Sequence, residues 1–490
     1  VAVVGAGFGG LGAAVELARR GARVVLCEAL AYPGGCASTF RRKGYAFEAG
    51  ATLFSGFDDD QLFGRWIAEL GLPVTVDLLD PLVELRAPSL RLPVPRDRDR
   101  LVDALAALPG APAAAVRSFF AEQRRVADLL WSLFDDPTLL PPFDAAALGR
   151  HALLSPRYLA LLPLLGKRLS QVIERFGLSG FAALRVYLDA LCQITVQCSA
   201  AEAEAPFALA AMDYYWRGTG HVRGGIGVLA SALADAVARL GGVVSLANAV
   251  KAVRRSEGGF TVTTRRGSVR ARAVVANVLP QGARALLGVE VGALPRLDRL
   301  ADRVEEGWGA AMLYLVVAPP EGADLGPHHL DLVLDEGAPF TEGNHVFVSI
   351  SGAADPGRAP EGRRTITAST HVPIEKLRAL DPVAQAAYVA EVQARMRATI
   401  AARAPEWVRH LDHAETASPR TFERFTGRFA GCVGGVPRRA GLENYRHLGP
   451  TAVTPGLYLA GDSVFPGQST LATAVGGVRV AEKLIRELDQ

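Results

Sequence analysis

The first thirty residues constrain the fold more than any other stretch of this chain. Val1-Ala-Val-Val4 is a short apolar run, the composition of a strand buried on both faces. It leads directly into Gly5, Gly7 and Gly10 in a G-x-G-x-x-G spacing, with Ala6, Phe8 and Gly9 between them. Leu11, Ala14, Val15 and Ala18 then recur at helical spacing, and Gly21 follows Arg19-Arg20 as a stop. A second strand, Arg23-Val-Val-Leu-Cys-Glu28, ends in an acid 23 residues beyond Gly5. Strand, glycine turn, helix, strand and acid together make a βαβ unit for a dinucleotide. The glycines permit a tight turn and let a diphosphate approach the helix N-terminus. Glu28 is placed to accept hydrogen bonds from the adenosine ribose. The pattern alone does not separate FAD from NAD.

Composition narrows the alternatives. A chain of 490 residues, half of them hydrophobic, predicts two or three core-forming units. Its 53 Lys and Arg against 50 Asp and Glu leave a net charge of +3, too balanced for a general nucleic-acid binder. Cys27, Cys36, Cys192, Cys198 and Cys432 are scattered, with no CxxC pair and no histidine cluster beside them, so no metal site is expected. The odd, sparse count fits a reducing compartment. No uncharged apolar stretch reaches about 18 residues, so no membrane-spanning helix is expected. No signal peptide opens the chain, but Val1 already lies in a strand, which leaves an upstream segment open. The expectation is a cytoplasmic protein, with a peripheral membrane contact as an option.

Beyond Glu28 and Ala29 come Pro33-Gly34-Gly35 and then Tyr45-Ala-Phe-Glu48-Ala-Gly50-Ala51-Thr52. These residues resemble the flavin-dependent amine oxidase and phytoene desaturase superfamily, in which a Gly-Gly loop is followed by an aromatic-x-acid-x-Gly turn beside the flavin. Gly34-Gly-Cys-Ala-Ser-Thr-Phe40 is most similar to the carotenoid isomerase and desaturase branch. Many members carry Arg after the Gly-Gly pair, where this chain has Cys36, so no cofactor contact is carried over to that position. Near the other end, Gly456-Leu-Tyr-Leu-Ala460 reads as a buried strand. It is followed by Gly461-Asp462-Ser-Val-Phe-Pro-Gly-Gln468-Ser469-Thr470 and a helix to about Leu488. The resemblance implies that Gly461 and Asp462 meet the ribityl-phosphate region and that the helix start lies against the flavin pyrimidine edge. A helix N-terminus there can stabilise negative charge on the reduced ring. A nicotinamide domain would be complete within its first part, whereas this fold needs both ends of the chain. FAD is therefore the expected cofactor.

The middle of the chain fits the same scheme. His221-Val-Arg-Gly-Gly225 opens a helix with Ile226, Leu229, Leu233 and Val237 on one face, and strands follow at 243–253. Residues 259–264 and 268–275 read as a hairpin around Arg266-Gly267. By resemblance, Val250 offers backbone contacts to adenine and Asn277 ends a strand near the cofactor. The expected architecture is α/β, a two-dinucleotide-binding-type (Rossmann-like) FAD domain with a mixed-sheet substrate domain and a helical insert. Residues 1–73, 218–285 and 430–490 form the first; 74–97 and 286–429 form the second; 98–217 form the insert. Val126, Leu129, Leu130 and Leu133 mark an amphipathic helix in that insert. Residues 152–169 crowd Leu153, Leu154, Leu159, Leu161, Leu162, Leu164 and Leu165 between Arg157, Lys167 and Arg168. They suit either a monotopic membrane contact or a buried roof over a substrate tunnel.

The resemblance implies an FAD-dependent oxidoreductase acting on a long apolar polyene or isoprenoid, foremost a carotenoid, by desaturation or flavin-assisted cis–trans isomerisation. A flavin amine oxidase and a non-catalytic FAD-bound scaffold in a pigment-synthesis complex are the alternatives. No catalytic acid or base stands out. Glu48 reads as a residue that fixes backbone, His221 as a packing histidine, and Asp213 and Tyr214 as residues that could face substrate. None of the five lysines sits in a motif suited to an amine oxidase.

Overall fold

The computed structural model describes residues 1–136, 139–141 and 145–488. In it the opening apolar run is the strand Ala2–Val4, buried throughout. Val25–Cys27 and Val274–Ala276 flank it, both parallel. The sheet extends to Val243–Ser245 on one side and to Leu457–Leu459 on the other, ending in the antiparallel edge strand Thr451–Thr454. The chain's two ends and its middle thus interleave in one sheet.

Helices cover this sheet because its central strands present apolar residues on both faces. Phe8–Arg19 buries all but its last residue, and Ile226–Arg239 packs Leu229, Leu233 and Val237 against it. The terminal helix Thr470–Leu488 lies across Phe8–Arg19 at backbone distance. A Cβ on Gly12 would stand 2.4 Å from the Ala474 carbonyl oxygen, and one on Gly477 would stand 2.0 Å from that of Gly9. Only glycine permits this approach.

A second, seven-stranded sheet runs in the order Leu411–Ala417, Trp308–Val317, Arg364–Pro373, His345–Ile350, His328–Val333, Val83–Arg86, Arg91–Val94. All pairs are antiparallel except His328–Val333 with Val83–Arg86. One face packs Leu313, Leu315, Val348, Ile366 and Ala368 against Val389, Val392, Met396 and Ile400 of the helix Pro382–Arg403. The other face looks towards the insert, whose helices Ala113–Asp135, Ala182–Thr195 and Ala205–Ala211 share a core with Phe340 and Phe347. Val126 and Leu129 are buried as their spacing predicted.

Two expectations are corrected. Residues 268–275 are not one hairpin arm. Gly267–Ala271 closes a three-stranded antiparallel sheet, and the chain then passes into the separate strand Val274–Ala276. The 74–97 segment does not belong wholly to the substrate sheet either. Val76–Leu78 pairs with Gly220–Val222, and only its later two strands join the seven. His328–Val333 and Leu411–Ala417 were not anticipated as strands.

Candidate active site

A cavity of about 800 Å³ opens at the C-terminal ends of the parallel strands, between the two sheets and the helical insert. The glycine-turn residues Gly5, Gly7, Phe8 and Gly9 line it, as do Glu28 and Ala29 after the second strand. Gly34, Gly35, Gly50, Ala51 and Thr52 form another part of the wall. From the chain's middle and end come Val250 and Asn277, then Gly461, Asp462, Gln468, Ser469 and Thr470. Ala6 and Gly10, expected beside them, do not line the cavity; they shape the turn instead. The Ala6 N–H donates to Glu28 Oε2 at 2.7 Å. Gly10 is fully packed, since a Cβ there would meet the Gly5 carbonyl oxygen at 1.9 Å.

The turn is built for close approach. Gly5 holds φ at +89°, and a Cβ on Gly7 would come within 2.7 Å of Asn277 Nδ2. One on Gly9 would press on both Asn277 Oδ1 and the Gly461 N–H. Asn277, at the end of its strand, therefore wedges the N-terminal turn against the C-terminal Gly-Asp segment. The first N–H groups of Phe8–Arg19 carry no side-chain cap and are open to a diphosphate. Glu28 already accepts from the Ala6 and Leu30 N–H groups, at 2.7 and 2.8 Å, and a carboxylate has lone pairs left for ribose hydroxyls. Burial pushes its carboxyl above the usual range, opposed by these backbone bonds. At the other end, Ser469 sits at φ 95° and its hydroxyl accepts from the Ala472 N–H, while the buried Thr470 hydroxyl lacks a partner among the described residues. A glycine cradle, uncapped helix N-terminus, satisfied ribose acid and orphan hydroxyl fit a flavin dinucleotide.

Several neighbours were beyond the reach of sequence reasoning. Asp462 is paired with Arg428 at 2.7 Å, and Arg428 lies beside Cys36. Burial alone would lower the Arg428 pKa; Asp462 together with Cys36 and Cys432 outweighs it and the net shift is upward. A cation thus reaches the Gly-Gly loop, beside Cys36, from a distant segment. Gln468 donates to the Ile194 carbonyl at 2.6 Å and accepts from Gln197 at 2.8 Å, a strap between the terminal turn and the insert. His329 donates through Nε2 to the Thr52 carbonyl at 3.0 Å. Burial holds its pKa down to about 3, so it is a neutral donor.

The residues weighed for catalysis separate clearly. Glu48 is buried, pairs with Arg358 at 2.7 Å and also accepts from Thr39 and the Ile226 N–H, so it fixes the turn. His221 is buried against Asp355 at 2.5 Å. Asp213 is held by Gln123 and Arg98. None of the three lines the cavity, but Tyr214 does, donating to the Leu53 carbonyl at 3.1 Å. The remaining walls are largely apolar, with Trp131, Phe134, Ile194 and Phe207 from the insert and Met312 and Phe347 from the seven-stranded sheet. Among the described residues Lys251, beside Val250, is the one lysine on the cavity wall; Lys376 and Lys483 are paired with Glu342 and Glu487.

Known proteins are similar to this chain over most of its length. The prolycopene isomerase of Arabidopsis thaliana chloroplasts is 25% identical over 99% of this chain and 82% of its own length. The all-trans-zeta-carotene desaturase of Myxococcus xanthus is 30% identical over 75% of this chain and 71% of its own. Among solved structures, an oxidoreductase from Methanosarcina mazei superposes with a TM-score of 0.63 at 17% identity, covering 98% of this chain and 99% of that one. Putrescine oxidase bound to putrescine gives 0.63 at 18% identity, covering 99% and 98%, and so shares the fold. With residues 8–485 matching its family model, the chain belongs to the flavin containing amine oxidoreductases and is an FAD-dependent oxidoreductase.

Proposed function

We propose that this enzyme acts on a long apolar polyene, a carotenoid or a related isoprenoid, by cis–trans isomerisation or desaturation. One observation carries the reading: a single cavity joins the glycine cradle to an apolar chamber walled by Met312, Phe347, Trp131, Phe134 and Phe207. The likeness to prolycopene isomerases over nearly the full chain supports it. The bound flavin supplies two-electron chemistry. The chain's own residues orient it and exclude water. Glu28 and the glycine turn hold the adenosine diphosphate half, Asp462 with Arg428 the ribityl half, and Gln468, Ser469 and Thr470 the pyrimidine edge. Val250 serves the adenine. The parallel sheet with its helices constitutes the cofactor domain, the seven-stranded sheet the substrate domain, and residues 98–217 the helical insert. An amine oxidase reading lacks a lysine in the apolar chamber, since Lys251 sits at the adenine end.

A carotenoid resides in a bilayer, and this enzyme meets it there peripherally. Among the described residues no helix is long and apolar enough to cross a membrane. Residues 152–169 divide their roles. Leu164 is buried and Leu161 packs on the core of the insert. Leu153, Leu159 and Leu162 are 82%, 65% and 59% exposed, with Arg157, Lys167 and Arg168 also at the surface. An exposed apolar cluster with flanking cations suits contact with an anionic bilayer. The substrate assignment is tested by pigment analysis after co-expression with a pathway that makes acyclic C40 polyenes. A changed isomer or a product two hydrogens lighter supports it; an unchanged pigment profile with folded, flavin-loaded protein overturns it.

A further inference from the structure

The apolar chamber has a polar wall. Along the strand Arg364–Pro373 the side chains alternate. Ile366, Ala368 and Val372 enter the core behind the sheet, while Ser369 and His371 face the cavity. Ser369 stands in register between Met312 and Phe347, both of them cavity residues. His371 stands opposite Ala310, its ring against the Trp308 indole with centroids 5.8 Å apart. Gln193 Nε2 meets His371 Nδ1 at 3.3 Å. With Gln193 donating there, the ring hydrogen belongs on Nε2, which has no partner among the described residues. The Ser369 hydroxyl has none either.

We propose that the substrate carries an oxygen function, a hydroxyl or a carbonyl, on the part of the polyene lying against this wall, and that His371 and Ser369 select it. The inference rests on the polyene reading above. Three other polar groups around the chamber are engaged: Tyr214 with Leu53, His345 with Asp331, and Gln468 with Ile194. His371 and Ser369 are left aimed at the substrate space. A pure hydrocarbon would strip water from both and return nothing, whereas one oxygen can accept from the imidazole N–H or exchange a hydrogen bond with the serine. Burial, with His345 nearby, holds the His371 pKa down to about 3, so the ring stays a neutral donor over any working pH. A neutral donor calls for an uncharged oxygen and gives no preference for a carboxylate. Sites built to bond a substrate oxygen reject the analogue lacking it far more strongly than an apolar pocket rejects a missing methylene.

The test uses flavin-loaded full-length protein and three acyclic C40 polyenes that differ only at one end: a hydrocarbon, its hydroxyl derivative and its ketone. Perturbation of the flavin absorbance gives each Kd, and chromatography gives turnover. Wild type should bind the oxygenated polyenes at least tenfold more tightly than the hydrocarbon. His371→Leu with Ser369→Ala should bring that ratio close to one. His371→Gln, which keeps an N–H donor, should retain part of the preference. A wild type that binds the hydrocarbon as tightly as the alcohol or ketone overturns the inference while leaving the polyene reading standing. So does a preference that survives the double substitution. If no polyene of the three perturbs the flavin or is turned over, the polyene reading itself fails and takes this inference with it.

Discussion

Substituting Gly477 by alanine should loosen the flavin without touching the cavity. Gly477 lies in the terminal helix, and the added Cβ would stand 2.0 Å from the Gly9 carbonyl oxygen and 2.7 Å from the Ala13 nitrogen. Ordinary contact begins near 3.4 Å, so the helices Phe8–Arg19 and Thr470–Leu488 must part locally by roughly 1.4 Å. Both obstructing atoms are backbone and cannot rotate away. Such overpacking costs about 1–3 kcal/mol. Gly9 and Thr470 both line the cavity at the starts of these two helices, so the helix contact sets the spacing of its walls. Strain borne by the bound state alone raises the flavin Kd roughly 5- to 150-fold. The assay is flavin occupancy after gel filtration and dilution, read from the visible absorbance, alongside the thermal midpoint. Gly149→Ala is the control, because nothing lies within 4 Å of its Cβ and it stands inside the helix Ala145–Tyr158. That change should be neutral or stabilising by up to about 1 kcal/mol. If Gly477→Ala retains flavin and melts like wild type, the helix contact does not close the site and the reasoning is wrong.

Three further outcomes follow from the geometry. Glu28→Ala should weaken FAD by about 1.5–3 kcal/mol, because it removes both the proposed ribose acceptor and the anchor for the Ala6 and Leu30 N–H groups. Fluorescence titration of the apoprotein reads it, and unchanged affinity would remove Glu28 from the site. His329 and His371 are both depressed to about 3, so the folded chain binds fewer protons than the unfolded one between about pH 6.5 and 3. Their stabilising contribution is complete above pH 6.5 and is lost as the pH falls, by about 1.4 kcal/mol per pH unit for each histidine. His329→Gln should flatten the slope by about one proton in urea unfolding between pH 7 and 4; an identical slope would contradict the assignment. Finally, wild type should co-sediment with anionic liposomes, and Leu153→Glu with Leu159→Glu and Leu162→Glu should abolish this with flavin retained. Equal sedimentation of the two proteins would place the membrane contact elsewhere.

Much of the cofactor half was legible because its determinants are local. The strand Ala2–Val4, the glycine turn and Glu28 lie within one short stretch, and the strand before Gly461 and the terminal helix repeat that economy. The sequence pattern also carried the helix spacing at Val126 and Leu129. What it missed depends on partners far along the chain. His328–Val333 alternates too little to announce itself, because both its faces are buried. Leu411–Ala417 is an edge strand of mixed polarity, stabilised by pairing with Trp308–Val317 rather than by its own pattern. Residues 268–275 look continuous, yet the chain must leave one sheet for another there. Arg428, Gln197, His329 and His371 acquire their roles only when the sheet and the insert close around the cavity. The apolar run at 152–169 could not declare its exposed side from spacing alone, since its two prolines break the helical period.

The most direct test of the central claim is an anaerobic incubation of flavin-loaded protein with a cis acyclic polyene in anionic vesicles, followed by chromatography and mass measurement. The polyene should be converted, either to an isomer of unchanged mass or to a product two hydrogens lighter once an electron acceptor is added. Polyene recovered unchanged under both conditions, while a simple amine bleaches the flavin, would contradict it.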